Sequence, residues 1–438
     1  MKRRKFLKTA SAAGLGVVAS GVRSWAFAGS PSEQIVVAVM GLNGRGTVLG
    51  KGFARATNAT VGYVCDVDSQ VLARGAAAIG GLQSRAPKAV ADFRRALEDK
   101  DVDALVIASP DHWHAPATIL ALQAGKHVYL EKPCGHNAHE GELLVAAQRK
   151  YQRVVQMGTQ QRSAPRSIEL VQAIKEGLIG RPYLARAWYA NTRGTIGRGK
   201  EAPVPATLDY ELWQGPAPRT PYHDNVIHYN WHWFHRWGTG EIANNGTHEI
   251  DVCRWALGVD TCTRVVSTGG RYQFEDDWEF PDTQEATFEF EGGKTIIWQG
   301  QSCNGLPTFG RSRGSLVLGT TGSVVLDRDG YVVYDLKGQV VREALAAKPG
   351  GDALNIGADD DATGLHISNF VDAIRSGAAL HQPIAEGVKS VLLCHLGNIA
   401  QSTGRALRTE AATGRIVGDA DAMKLWEREY APGWMPVV

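Results

Sequence analysis

A glycine-rich turn near the start of the chain carries the first residues whose types and spacing suggest chemistry. The apolar run Ile35–Met40 leads directly into the turn GLNGRG at residues 41–46 and then into a helix-forming stretch. A buried strand that passes through such a turn into a helix directs backbone N–H groups towards a phosphate. Asn43 replaces the usual second glycine, and asparagine tolerates unusual backbone angles better than most residues. The candidate cofactor residues in this turn are Gly41, Asn43, Gly44, Arg45 and Gly46.

Asp66 supports the same dinucleotide site. It follows Gly46 by 20 residues and ends the next apolar run, Val61–Cys65. A carboxylate at this place accepts hydrogen bonds from the adenosine ribose. It also repels a 2′-phosphate, so we expect NAD rather than NADP.

Aromatic and histidine side chains are concentrated in residues 213–255, which hold five of the twelve tryptophans and five histidines. Flat aromatic rings suit the C–H faces of a sugar, and polar groups fix its hydroxyls. We therefore expect a sugar pocket, with aromatic packing of a long loop as the alternative. The candidate substrate residues in and near this stretch are Trp231, His232, Tyr189, Arg193 and Asp224.

A metal site is a competing interpretation of the same histidines. His228 and His232 would share a face only in a helix. No carboxylate or cysteine completes a recognised zinc spacing around them. We therefore expect no bound metal.

Alternating strands and helices must position the glycine turn and Asp66. Apolar runs recur at Ala104–Ala108 and His127–Leu130, with helical stretches between them. This alternation predicts a doubly wound parallel sheet, a Rossmann domain, over residues 35–156.

The second half of the chain has a different pattern. Residues 190–240 predict long loops, and a helix is expected over Thr247–Leu257. Residues 262–335 alternate in polarity, as in an antiparallel sheet with one solvated face. The fold class is therefore α/β, with a second α/β domain at residues 157–400 that carries an open, mainly antiparallel sheet. A C-terminal tail is expected at residues 401–438.

Residues 109–133 carry a more specific pattern. The segment SPDHWH at 109–114, a helix, and the segment GKHVYLEKP at 125–133 closely resemble the Gfo/Idh/MocA oxidoreductase family. The turn GTTGS at 319–323 looks like one in that family's second domain. The resemblance implies a Rossmann domain followed by an α/β domain whose open sheet commonly forms the interface of a dimer or tetramer.

The resemblance also implies which groups react. Lys132 of the EKP motif would lie near the nicotinamide and the reacting hydroxyl, where its charge helps to lower the pKa of that hydroxyl. The family's second motif is an aspartate, three residues and a histidine, which matches Asn244 and His248 here. His248 is the candidate base, although Asn244 does not supply the carboxylate that could orient it. The further cofactor candidates are Ser109, His112, His114, Glu131 and Lys132.

The pattern of the first 28 residues predicts an export signal. They contain Arg3 and Arg4 in a twin-arginine pattern, an apolar run too short to span a bilayer, and Ala26-Phe27-Ala28 as a cleavage site. We therefore expect a periplasmic protein with residues 1–28 removed. The remaining chain has 41 basic and 45 acidic residues, which argues against a nucleic-acid partner. No later window predicts a membrane span.

Export constrains the reaction. The six cysteines show no C-x-x-C spacing and predict free thiols, which suits a protein folded in the cytoplasm before export. Because fresh cofactor is scarce outside the cytoplasm, we expect NAD to be tightly held and recycled. A sugar–sugar oxidoreductase, a glycoside 3-dehydrogenase, and a redox-neutral NAD-dependent glycosidase or epimerase all fit this expectation. A protein that binds dinucleotide and sugar without turnover is the alternative of another class, favoured by Asn43 and Asn244.

Overall fold

The first domain is built on six parallel strands. A computed structural model describes residues 34–345 and 361–438, so the expected export signal at residues 1–28 lies outside the described residues. The strand order is β3-β2-β1-β4-β5-β6, and the order reverses between β1 and β4. Ligands of such sheets bind at this reversal, beyond the carboxyl ends of the strands. The strands are β1 (Ile35–Met40), β2 (Ala59–Cys65), β3 (Lys88–Val90), β4 (Ala104–Ile107), β5 (His127–Leu130) and β6 (Val155–Met157).

Helices cover both faces of this sheet, which explains why its central strands are continuously apolar. The whole of β4 and β5 is buried. The helices up to the second domain are α1 (Arg45–Arg55), α2 (Ser69–Gly80), α3 (Arg94–Leu97), α4 (Asp111–Gln123), α5 (Ala138–Tyr151) and α6 (Pro165–Lys175).

The second domain carries a larger sheet, in the order β15-β14-β13-β12-β7-β10-β9-β8-β16-β17, with the short β11 beside β7. The pair β7 and β10 is parallel and the other pairs are antiparallel. The strands are β7 (Pro182–Thr192), β8 (Arg264–Gly270), β9 (Thr283–Phe290), β10 (Lys294–Gln301), β11 (Cys303–Asn304), β12 (Arg313–Gly319), β13 (Gly322–Leu326), β14 (Gly330–Asp335), β15 (Val340–Leu345), β16 (Leu407–Thr409) and β17 (Ile416–Val417).

One face of this sheet is covered and the other is not, as the period-two burial of β9 and β10 shows. A π-helix, Ile242–Gly246, passes closely over the buried Trp298, where a Cβ on Gly246 would lie 3.2 Å from the indole. The remaining helices are α7 (Tyr210–Gln214), α8 (Thr247–Leu257), α9 (Asp361–Ser376), α10 (Ile384–Thr403) and α11 (Ala420–Met423).

Two late segments of the chain return to the first domain. Ile367, Phe370 and Val371 of α9 are buried in one core with the first sheet and α1. Near the end of the chain, Trp434 packs edge-on against Trp113 of α4, with the ring centres 5.1 Å apart. The Rossmann domain is therefore completed by residues from far along the sequence.

The predicted fold class is confirmed, and α8 has the bounds predicted for it. Few regular elements lie between β7 and the π-helix, as predicted from residues 190–240. All six cysteines are free; five are buried and Cys303 is half-buried. Within residues 34–345 and 361–438, no helix combines the length and the apolar character that a membrane crossing needs.

We expect the substitution Phe370→Ala to lower the free energy of unfolding by about 3–5 kcal/mol, because it leaves a cavity between α9 and the core of the first sheet and α1. The ring is fully buried, with Tyr129 5.7 Å and Phe53 6.1 Å from it, centre to centre. Urea unfolding measures the change. The control Leu365→Ala, in the same helix but 42% exposed, should change it by less than about 0.5 kcal/mol. Equal losses in both variants would contradict this anchoring of α9.

Candidate active site

The glycine turn between β1 and α1 is shaped by backbone that other residues adopt with difficulty. Gly41 and Gly44 have φ angles of 82° and 74°. A Cβ on Gly41 would lie 2.7 Å from the Ala108 carbonyl oxygen, and one on Gly46 would lie 1.6 Å from the Gly41 oxygen. Asn43 is not among the described residues with positive φ. Asn43 therefore adds no backbone strain, because the left-handed position in this turn is occupied by Gly44.

The beginning of α1 is open to an anion. Gly44 precedes the helix, and no side chain caps or places a negative charge on the first turn. Arg45 Nε donates a 2.8 Å hydrogen bond to the buried carboxylate of Glu131. Burial raises the pKa of Glu131, but the Arg45 and Lys132 cations outweigh it and lower the pKa overall. This turn fits a dinucleotide pyrophosphate, since its N–H groups and helix dipole favour negative charge.

Asp66 lies at the carboxyl end of β2, on the wall of the same cleft. Its two carboxylate oxygens accept hydrogen bonds from the backbone N–H groups of Leu42 (2.7 Å) and Asp68 (2.9 Å). These bonds hold the carboxylate beside the glycine turn, at the place expected for the adenosine ribose.

The turn from β4 into α4 carries three of the predicted cofactor residues, of which two reach the cleft. Ser109 lines the cleft. His114 also reaches the cleft, and its ring nitrogens lie 2.5 Å from the Pro133 oxygen and 2.8 Å from the Ser109 oxygen. It thereby joins this turn to the EKP segment. His112 was predicted to bind cofactor, and this is wrong: its ring is fully buried outside the cleft, with Nε2 2.9 Å from the Trp213 oxygen.

Lys132, Asn244 and His248 come together across the boundary of the two domains. Lys132 follows β5, and its Nζ donates to the backbone oxygen of Asn244 at 2.6 Å and to Asn244 Oδ1 at 3.3 Å. The π-helix that holds Asn244 continues directly into α8, and His248 is in the first turn of α8. All three line the cleft. The three residues to which the resemblance gave catalytic roles therefore lie together in this cleft.

His248 is a neutral histidine in this surrounding. Burial lowers its pKa well below the usual value, and the nearby cations of Lys132 and Arg313 lower it further. Its ring makes no hydrogen bond to any residue that the structure describes, and it faces the cleft. A neutral, unpaired imidazole is the form that a general base requires.

The predicted substrate residues form one wall, with one exception. Tyr189, Arg193, Trp231 and His232 line the cleft. The His232 ring stacks on the Trp231 indole at 3.6 Å, and burial lowers the pKa of His232 to about 3. Asp224 is exposed outside the cleft, where it accepts a hydrogen bond from the Lys200 backbone N–H. The prediction for Asp224 is therefore wrong, because position in a loop alone does not fix a side chain's direction.

The histidines do not assemble a metal site. His228 Nε2 lies 3.0 Å from the Asp68 carboxylate, whereas His232 Nδ1 lies 2.6 Å from the Tyr229 oxygen. Among the described residues, no three His, Cys, Asp or Glu side chains converge as metal ligands would.

Several residues in and behind the cleft were not found from the sequence. Glu241 does not line the cleft; it lies behind Asn244, one helical turn before it, and is 5% exposed. Its spacing of three residues from Asn244 was an available signal, since such residues meet on one helix face. The unpredicted lining residues, which had no sequence signal, include Asn191, Tyr229, Asn245 and Arg328. The whole cleft measures about 790 Å³.

Comparison with known proteins identifies the family of this chain. Residues 35–159 match the family model for the oxidoreductase family with an NAD-binding Rossmann fold, and residues 174–318 match the model for that family's C-terminal alpha/beta domain. Together the two ranges cover more than half of the chain. The chain belongs to the Gfo/Idh/MocA oxidoreductase family.

Individual relatives are more distant. Inositol 2-dehydrogenase of Rubrobacter xylanophilus is 32% identical over 36% of this chain and 45% of its own length. A glycosyl hydrolase family 109 protein of Stenotrophomonas maltophilia is 33% identical over 31% of this chain and 30% of its own. The chain thus spans less than half the length of these two relatives. Among solved structures, aldose-aldose oxidoreductase of Caulobacter crescentus, complexed with glycerol, superposes with a TM-score of 0.64 at 18% identity, over 86% of this chain and all of that one.

We expect Gly46→Ala to weaken NAD binding at least about tenfold, because the new Cβ would displace the Gly41 backbone that shapes the phosphate turn. Fluorescence or calorimetric titration with NAD on refolded, cofactor-free protein measures this. The control is Gly364→Ala, in α9, where a Cβ meets nothing within 4 Å. Unchanged affinity in Gly46→Ala would show that this turn does not hold the dinucleotide.

Proposed function

We propose that the protein is an NAD-dependent oxidoreductase that oxidises a hydroxyl group of a sugar or glycoside. One observation carries the proposal: the Lys132 ammonium group and the neutral His248 imidazole line one cleft with the glycine turn. A cation to hold a hydroxyl oxygen and a base to take its proton are the groups that this oxidation needs.

The residues divide the work as follows. A nicotinamide dinucleotide held by the glycine turn and Asp66 would supply the acceptor for the hydride ion that leaves the sugar carbon. Lys132 donates a hydrogen bond to the hydroxyl oxygen, and its charge favours the developing alkoxide. His248 accepts the hydroxyl proton. Burial of the Lys132 side chain lowers the pKa of its ammonium group, which strengthens it as a proton-sharing partner of that oxygen.

Further residues that line the cleft suit a sugar. Trp231 and Tyr229 offer aromatic faces, while Asn191 and Asn245 offer amide groups that both donate and accept hydrogen bonds. The names of relatives agree, since inositol and aldoses are polyhydroxylated.

The dinucleotide is proposed to be NAD, tightly held. The segment between β7 and the π-helix, residues 193–241, here called the connecting segment, closes over the carboxyl end of β2. Ser69 N donates to Thr207 O at 2.8 Å, and Asp209 N donates to Val67 O at 2.9 Å. The His228–Asp68 contact adds a side-chain link only two residues from Asp66. These links favour slow release from the ribose end.

Retention supports a second candidate function. A cofactor that stays bound must be reoxidised on the protein, either by a second sugar or within one catalytic cycle. The second route gives a redox-neutral glycosidase or epimerase, and the match to a glycosyl hydrolase family 109 protein favours it. Product analysis separates the two: a ketone or acid product marks net oxidation, and a released or epimerised sugar marks the neutral cycle.

We further propose export by the twin-arginine route to the periplasm and assembly into a dimer or tetramer through the open face of the second sheet. The basic first residues and their apolar run support export. The one-sided burial of β9 and β10 supports assembly. Fractionation of cells and light scattering of the purified protein test these two points.

We expect the purified protein to release stoichiometric NAD on denaturation. Removal of one link by His228→Ala should speed NAD release about tenfold, which corresponds to one lost hydrogen bond of about 1.4 kcal/mol. Release is followed by trapping free NAD with an excess of a competing dehydrogenase. His223→Ala is the control, because His223 is in the same segment but outside the cleft. A protein isolated with an empty site would contradict retention.

The rate of oxidation should have a bell-shaped pH dependence with both limbs moved towards acid. His248 must be neutral, so its lowered pKa keeps the rate high below pH 6.5. Lys132 must be charged, so the lowered pKa of its ammonium group makes the rate fall on the alkaline side at a pH lower than 10.5.

The pH profile of kcat/KM for a panel of sugars, followed by nicotinamide absorbance, measures both limbs. His248→Ala should lose the acid limb and about 10²–10⁴ in rate, and Lys132→Ala should lose turnover. Retained NAD in both variants would show that they are folded. An absence of turnover in the unaltered protein would favour a binding protein instead.

A further inference from the structure

Glu241 lies at the centre of a hydrogen-bond network directly behind the Lys132–Asn244 contact. Its Oε2 accepts from Arg193 Nε at 2.9 Å and from Ser302 Oγ at 2.8 Å. Its Oε1 accepts from Asn245 Nδ2 at 2.5 Å and from Asn244 Nδ2 at 3.4 Å. Four donors from three segments of the chain thus meet on one buried carboxylate.

This network decides which end of the Asn244 amide faces Lys132. An asparagine side chain presents an acceptor at one end and a donor at the other. Because Nδ2 is directed to Glu241, Oδ1 is directed to Lys132 Nζ, 3.3 Å away. The reversed amide would place an N–H donor against the ammonium group and leave the carboxylate one donor short.

We propose that Glu241 is a positioning residue of this site, whose carboxylate fixes the Asn244 side-chain amide so that its Oδ1 faces the Lys132 ammonium group beside the Asn244 backbone oxygen. The carboxylate also balances the Arg193 cation, with which it forms an ion pair on the same wall. Glu241 touches neither Lys132 nor the open part of the cleft, so it acts through Asn244. The effect on turnover rests on the proposed function, but the effect on Lys132 does not.

The same geometry explains why asparagine occupies position 244. A carboxylate there would face Glu241 across one helical turn, and two carboxylates that share a site cannot both ionise readily. This part of the site therefore accommodates one carboxylate, and in this chain residue 241 carries it rather than residue 244.

Four variants test this assignment. Glu241→Gln removes the charge, Asn244→Asp adds one, and the double variant moves the charge from position 241 to position 244. Asp251→Asn is the matched control, because Asp251 forms a comparably buried ion pair with Arg162 in the same region but bonds Ser390 and Gln382 instead of Asn244.

The primary readout is independent of turnover. Protein labelled with ¹³C at lysine Cε gives an NMR signal for Lys132, which is assigned by its loss in Lys132→Arg. The pH midpoint of the change in its chemical shift gives the pKa of the Lys132 ammonium group. Glu241→Gln should lower the midpoint by about one pH unit, because the positive charge of Arg193 is then no longer compensated and disfavours the charged form of Lys132. Asn244→Asp should raise the midpoint, because it places a negative charge beside the ammonium group. The double variant should return towards the unaltered value. If the protein turns over, kcat/KM should fall about tenfold to a hundredfold in Glu241→Gln and partly recover in the double variant.

Each outcome decides the proposal. A Lys132 midpoint that moves in Glu241→Gln no more than in Asp251→Asn would overturn it, as would a double variant no closer to the unaltered protein than Glu241→Gln. If Glu241→Gln does not fold, recovery of folding in the double variant supports the relocated charge, and failure of both contradicts it. A missing sugar oxidation with the expected midpoints would refute the proposed function alone.

Discussion

The hydrogen bond from the Lys132 ammonium group to the Asn244 carbonyl oxygen, 2.6 Å long, is the interaction on which the rest of the site depends. Its donor belongs to the first domain and its acceptor to the second, so it fixes the two halves of the cleft relative to each other. A buried ammonium group is costly unless acceptors surround it. The second domain meets that requirement with a carbonyl oxygen, which is available because the π-helix at this point directs it into the cleft.

The charges around this bond explain the state of the base. His248 is surrounded by cations, and burial opposes its protonation still more. A carboxylate beside His248 would favour the imidazolium instead. In this chain the carboxylates nearest in sequence are engaged elsewhere: Glu249 pairs with Arg313 at 2.6 Å and Asp251 with Arg162 at 2.7 Å. Their engagement leaves the imidazole neutral and directed at the cleft.

Much of the fold could be predicted because its signals are local. The strand, glycine turn and Asp66 have fixed spacing, and α8 shows a helical pattern between a loop and a glycine, so their placement was correct. The effect of Asn43 could not be predicted, because φ angles cannot be read from residue types, and the structure puts the left-handed position on Gly44. The return of α9 to the first sheet depends on contacts far apart in sequence, which no local pattern encodes.

The candidate site was predictable where a motif names a residue and where aromatic and histidine side chains are concentrated, but not from the position of a residue alone. His112 and His114 belong to one motif and one helix, yet only His114 reaches the cleft, since residues two apart point in different directions. Asp224 failed for a similar reason, as a loop position has no defined face. Glu241 had a local signal in its spacing from Asn244, but its role could not be predicted because it depends on four donors that three separate segments bring together.

The connecting segment relates the chemistry to the place where the protein would work. It supplies Trp231 and His232 to the substrate wall and, through Thr207 and His228, it closes over the end of β2. One segment therefore touches both ends of the cleft. Opening it far enough to exchange the dinucleotide would also disturb the sugar wall, whereas a sugar needs access only to the Lys132 end. The contacts of this segment therefore favour the proposed cycle, in which the cofactor stays bound while sugars exchange, and the proposed export would require such a cycle because NAD is not supplied outside the cytoplasm.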